Sequence, residues 1–132
     1  MGHYGIVYVA RNDQHPPNVY KVGGTSRQVE DRLKELNRET SNLGEFRPKI
    51  IWPVNDWEGA EKLCHEALET YRFEKEYFQL HLKALWQKMN KVCSDHDFQV
   101  STTYWNDNGS VFANHWPAEL EDPEIQISPN KG

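Results

Sequence analysis

The sequence predicts an α+β fold, a small mixed or antiparallel sheet flanked by helices, and three observations carry that prediction. Two short apolar runs, Gly5-Ile6-Val7-Tyr8-Val9 and Tyr20-Lys21-Val22-Gly23, flank a polar loop holding Pro16-Pro17, as a hairpin would. Two stretches with apolar residues at helical spacing follow, separated by the β-prone run Ile50-Ile51-Trp52-Pro53-Val54. Near the end, Asn106-Asp107-Asn108-Gly109 divides two further β-prone runs, a strong turn signal.

Taken in order, the first strand is expected over residues 4–10. Period two puts Tyr4, Ile6 and Tyr8 on one face and Gly5, Val7 and Val9 on the other. The second strand, over 19–23, sets Val19, Lys21 and Gly23 opposite Tyr20 and Val22. Gly23-Gly24-Thr25-Ser26 reads as a tight turn leading into a helix cap. A helix over 28–39 carries the stripe Val29, Leu33 and Leu36, and a third strand spans 46–54. Asp56 suits the cap of a second helix over 57–71, with Ala60, Leu63, Cys64, Ala67, Leu68 and Tyr71 inward. A third helix over 81–93 buries Leu82, Leu85, Trp86, Met89 and Val92, and a hairpin pairs 98–105 with 110–116.

The 132 residues suit one domain with a real core. Hydrophobic residues at 37% and charged residues at 27% indicate a soluble globular chain rather than a disordered one. No run approaches the ~20 apolar residues of a membrane helix, and the N-terminus does not read as a signal peptide, so a cytoplasmic location and no membrane partner are expected. Cys64 and Cys93 fall in helix stripes and read as buried free thiols. The net charge of −5 argues against strong non-specific affinity for DNA. Its distribution is uneven: residues 1–50 hold eight Lys/Arg against six Asp/Glu, whereas residues 51–132 hold seven against fourteen. A locally basic face is therefore confined to the first hairpin and helix.

Within that segment Tyr8, Lys21 and Arg32 can meet beside the sheet, and a phenol, an amine and a guanidinium together suit a phosphodiester. Glu61 and His65, four residues apart, share a helix face. With Ile6-Val7-Tyr8, Lys21-Val22-Gly23, Arg32-Leu33, Glu61, His65 and Glu76-Tyr77-Phe78 in this order, the chain resembles the GIY-YIG nuclease superfamily. It most resembles the branch named after a phage T5 DNA-binding protein, the Orf172 type, in which Tyr-Lys-Ile-Gly replaces Tyr-Ile-Gly and Lys21 takes the place of the second signature tyrosine. The motifs span roughly residues 4–80.

The resemblance implies a nuclease-like core over 1–80; by their own pattern, residues 81–116 read as a helix and hairpin that extend the same domain and 117–132 as a loose acidic tail. It implies a metal-dependent DNA endonuclease in which Glu61 is the protein ligand of Mg²⁺ or Mn²⁺. Tyr8, its pKa lowered by a neighbouring cation such as Lys21, helps deprotonate the attacking water. Arg32 stabilises the pentavalent phosphorus and His65 assists the leaving group. Lys21, Arg27 and Arg32 are the expected contacts to DNA. For Glu76, orienting Arg32 or His65 and facing solvent are equally open. All five principal side chains are expected to line one concave surface. The alternatives are a module on the same scaffold that binds nucleic acid or protein without cutting, and a phage-like effector that contacts a protein partner through residues 81–132.

Overall fold

A computed structural model describes residues 2–38 and 44–96, together with the backbone of 102–106 and 109–113. It is an α+β fold. Strands β1 (Gly5–Asn12), β2 (Val19–Thr25), β3 (Phe46–Val54), β4 (Arg72–Glu74), β5 (Tyr77–Gln79), β6 (Thr102–Asn106) and β7 (Gly109–Ala113) form one sheet in the order β4-β5-β2-β1-β3-β6-β7. Every pairing is antiparallel. Helices α1 (Val29–Arg38), α2 (Trp57–Ala67) and α3 (Leu82–Asp95) cover its faces.

β1 lies at the centre because its Val- and Tyr-rich run is apolar on both sides. Val7 and Val9 join Tyr20, Val22, Ile50, Trp52 and Val54 on the face covered by α2 and α3, where Cys64, Leu68, Leu82, Leu85 and Met89 complete the main core. Tyr8 and Ala10 point the other way, into a smaller core with Val29, Leu33, Leu36 and Phe46 under α1. The alternation read from the sequence therefore holds across β1 and β2. Trp52 Nε1 donates to Asn90 Oδ1 at 3.2 Å, tying β3 to α3. Cys64 and Cys93 are buried free thiols, as expected.

The β1–β2 loop is braced by Arg11, whose guanidinium donates to the carbonyls of His15, Pro16 and Val19. Asp56 caps α2 as expected, its Oδ1 accepting from Gly59 N at 3.1 Å.

Three local readings need correction. Gly23 and Gly24 do not turn: β2 runs through them to Thr25, because Tyr8 and Val7 of β1 pair with them directly. α1 starts at Val29, and Thr25 Oγ1 accepts from Arg27 N in a turn ahead of it rather than capping the helix. α2 stops at Ala67 and is followed by a 3₁₀ turn over Glu69–Tyr71 and then the β4–β5 hairpin, where a continuous helix is predicted to residue 71 and no strand after it. The physical reason is pairing. β5 adds to β2 with Tyr20 opposite Phe78 and Lys21 opposite Tyr77, and Phe78 is fully buried.

The second hairpin lies within the predicted one, and β6 joins the sheet beside β3. The tail over 117–132, with His115 and Trp116 before it, lies outside the described residues. No described helix is long and apolar enough to cross a membrane.

Candidate functional site

The candidate residues gather around one edge of β2. The β5 strand pairs with β2 only as far as Lys21, and Glu76 O then accepts from Val22 N at 3.0 Å. From there to Thr25, β2 has no further strand on that side among the described residues.

Tyr8 reaches this edge from the α1 face. Its side chain is 1% exposed, and its hydroxyl lies against Gly23, where an added Cβ would sit 2.6 Å from it. Burial pushes the phenol up to about 12, against the pull of a hydrogen bond and charge from Arg32. This is the reverse of the lowered value expected from a neighbouring cation. At neutral pH Tyr8 is a neutral hydroxyl.

Lys21 occupies the same face and is 5% exposed. Its ammonium is held 2.7 Å from Glu76 Oε1 and 5.4 Å from the centre of the Tyr77 ring. Burial works against the Glu76 charge, yet the Lys21 hydrogen bond and charge hold its carboxyl below the usual range. Arg32, on the second turn of α1, meets Tyr8 on one side and donates from Nη1 to Glu35 Oε1 at 2.8 Å on the other.

Glu61 and His65 arrive from the opposite face, on α2. Burial raises the Glu61 carboxyl above its usual range, with His65 the main opposing influence. A Cβ at Gly24 would lie 3.3 Å from the Glu61 carboxylate. The Nε2 of His65 is 3.9 Å from Glu61 Oε2 and 2.7 Å from Val22 O. That carbonyl can only accept, so the ring carries a proton on Nε2 and braces α2 against β2. This nitrogen is thereby committed to the backbone rather than free to serve a leaving group.

The expected single concave surface is thus not what forms. α1 and α2 pack on opposite faces of the sheet, so Tyr8, Lys21 and Arg32 stand on one face, Glu61 and His65 on the other. They approach one another around the edge because Gly23 and Gly24 present no side chains: the first abuts the Tyr8 hydroxyl, the second the Glu61 carboxylate. The charges of Glu76, Lys21 and Arg32 all act on Glu61 across this edge. Glu61 and His65 also line an open groove of about 380 Å³ with Glu58, Lys62, Glu66, Glu69 and Arg72, four carboxylates against two fixed cations. Its acidic character suits a cation better than a phosphate.

Among the described residues no three His, Cys, Asp or Glu side chains are grouped to hold a metal. The donor chemistry is that of one partly exposed carboxylate beside a histidine. It fits a hard cation that keeps most of its water and takes phosphate oxygens from a substrate. It does not fit a tetrahedral zinc cage.

The sequence leaves two participants unassigned. Glu76 is the anchor of buried Lys21, separated from it by most of the core, and its place in the Glu-Tyr-Phe motif is the one signal. Glu35 joins Arg32 to Arg27, which it reaches at 2.7 Å; only its i+3 spacing from Arg32 was visible.

Residues 5–93 match the model of the T5orf172 domain. The chain belongs to the T5orf172 domain family. The match spans β1 to α3, takes in Tyr8, Lys21, Arg27, Arg32, Glu61 and His65, and continues beyond the stretch ending near residue 80 whose motifs carry the resemblance. No curated protein and no solved structure matches the chain. T5orf172 membership is compatible with a nuclease-like or DNA-binding module.

Proposed function

We propose that this T5orf172 domain is a GIY-YIG-type endonuclease that hydrolyses DNA phosphodiester bonds with Mg²⁺ or Mn²⁺. The observation that carries the reading is that Tyr8, hydrogen-bonded to Arg32, and Glu61 abut the adjoining glycines Gly23 and Gly24 from the two faces of one strand edge. A scissile phosphate laid over this edge would face a guanidinium from one side and, through a cation on Glu61, a carboxylate from the other.

Arg32 supplies the fork for non-bridging phosphate oxygens and opposes charge that builds at phosphorus. Glu61 would hold the cation, which would neutralise phosphate charge and acidify the attacking water, whose proton would pass to bulk solvent. Tyr8, with its pKa near 12, remains a neutral hydroxyl that positions Arg32 by hydrogen bonding rather than removing a proton as a free phenolate. Lys21, its ammonium buried and paired with half-exposed Glu76, fixes the β2 edge and adds little net charge to it. His65 sets the height of α2 over β2, and the proton for the leaving oxygen comes from this ring only if the Val22 contact is released.

That last commitment, with the raised Tyr8 pKa, favours a second reading: a module that binds DNA at the same edge without cutting it. The deciding experiment is a cleavage assay on duplex, single-stranded and branched DNA with Mg²⁺ or Mn²⁺, beside Glu61→Ala. The nuclease reading expects cleavage by the wild type and its loss in a folded Glu61→Ala variant. Binding without cleavage under either metal selects the module, and undiminished cleavage by Glu61→Ala refutes the assigned metal ligand.

A further inference from the structure

We propose that Arg27 and Arg32 form a phosphate clamp in which Glu35 is the resident anion, displaced when a nucleic-acid phosphate binds. The choice of nucleic acid rests on the reading above; the clamp itself rests on the side chains. Arg27 Nη2 and Arg32 Nη1 both donate to one atom, Glu35 Oε1, at 2.7 and 2.8 Å. Two guanidiniums that repel each other are thus aimed at a single anionic oxygen. This is the arrangement in which a non-bridging phosphate oxygen is held.

A mere helix-surface pair needs only Arg32 and Glu35, one turn apart. Here Arg27 reaches in from outside the helix, eight residues away from Glu35, and completes the fork. The two arginines hold the Glu35 carboxyl down to about 2, so it stays anionic throughout the physiological range and no proton empties the clamp. An anion must do so.

Exchange is feasible because the cluster is open to water. Arg27, Glu35 and Arg32 are 49%, 38% and 30% exposed, and ion pairs of that kind contribute little net stability. Arg32 also keeps its contact with Tyr8 when Glu35 leaves, so the clamp hands a phosphate directly to the β2 edge. Arg27 further borders an open groove of about 500 Å³ lined by Tyr4, Ile6, Ser26 and Asp31, which leaves room for the nucleoside attached to that phosphate. Asp31 bears on Arg27 as a second carboxylate but is not the atom on which the arginines converge.

The test compares the full-length wild type with Glu35→Gln, which keeps the side-chain shape and removes the charge. Arginine side-chain NMR signals are followed during titration with inorganic phosphate, and binding of a labelled DNA duplex is measured across salt. In Glu35→Gln, phosphate is expected to shift the Arg27 and Arg32 signals together, at several-fold lower concentration than in the wild type. The DNA affinities of the two proteins should diverge by about 3.5-fold for each fourfold reduction in salt, the mark of one further counterion released. Arg27→Gln added to Glu35→Gln should remove both gains. Phosphate that shifts neither arginine, or that binds Glu35→Gln no tighter than the wild type, overturns the clamp. A gain in phosphate binding with no DNA binding by either protein upholds the clamp and overturns the nucleic-acid reading alone.

Discussion

Gly23→Ala tests the packing on which the site depends. The added methyl would lie 2.6 Å from the Tyr8 hydroxyl oxygen and 2.7 Å from its ring carbon, where ordinary contact begins at 3.4 Å. The overlap cannot be relieved by a flexible chain end, because Tyr8 is 1% exposed and packed under α1. Overpacking of this size costs about 1–3 kcal/mol. Gly23 is not among the residues with positive φ, so alanine suits its backbone and returns about 0.4–1 kcal/mol through the unfolded chain. The net expectation is a loss of about 1–2 kcal/mol in urea unfolding, with the slope unchanged. In a Tyr8→Leu background the methyl gains space, so most of that loss should vanish, giving a coupling energy of about 1 kcal/mol. If Gly23→Ala stays within about 0.5 kcal/mol of the wild type in both backgrounds, the hydroxyl does not rest against this glycine and the proposed meeting of the two faces fails.

Two other expectations follow from the same region. Glu76→Gln strands a 5%-exposed ammonium beside a neutral amide and should cost about 2 kcal/mol, whereas Lys21→Met leaves a carboxylate that is 48% exposed and able to rehydrate, costing less than about 1 kcal/mol. Equal losses in denaturant unfolding would refute that asymmetry. The Tyr8 phenol, raised from 10.0 to about 12, favours the folded state fully below pH 10 and loses that contribution as pH climbs to about 12, because the unfolded phenol ionises first. The window is worth about 3 kcal/mol, and unfolding across alkaline pH should show it in the wild type and not in Tyr8→Phe.

Much of this arrangement was legible because strands alternate. Period two separates Tyr8 from Val7 and Val9 in β1, and Lys21 from Tyr20 and Val22 in β2, and the structure keeps both divisions. The stripe Val29, Leu33 and Leu36 is likewise the face that α1 buries. The β4–β5 hairpin was not legible. Its strands are three residues each, too short to show a period, and their stability comes from pairing with β2, which lies far earlier in the chain. The link between Lys21 and Glu76 was hidden for the same reason. Nor does a helix stripe say which face of a sheet it will cover, so Glu61 and Tyr8 were assigned one surface when α2 and α1 in fact take opposite ones.

The short β5 explains why a site arises at this edge. An unpaired strand edge invites unwanted pairing, and a longer β5 would cover β2 as far as Thr25. It would also bury Gly24 and close the gap between the Tyr8 hydroxyl and the Glu61 carboxylate. Instead Glu76 ends the pairing at Val22 N, and the His65 ring occupies Val22 O. The residue that stops the sheet is therefore the residue that holds Lys21, and the ring that covers the next carbonyl stands beside Glu61. Extending β5 by pairing residues would protect the edge and, on the reading proposed above, abolish its function. The strand's three-residue length is accordingly a condition of the site rather than an irregularity of the sheet.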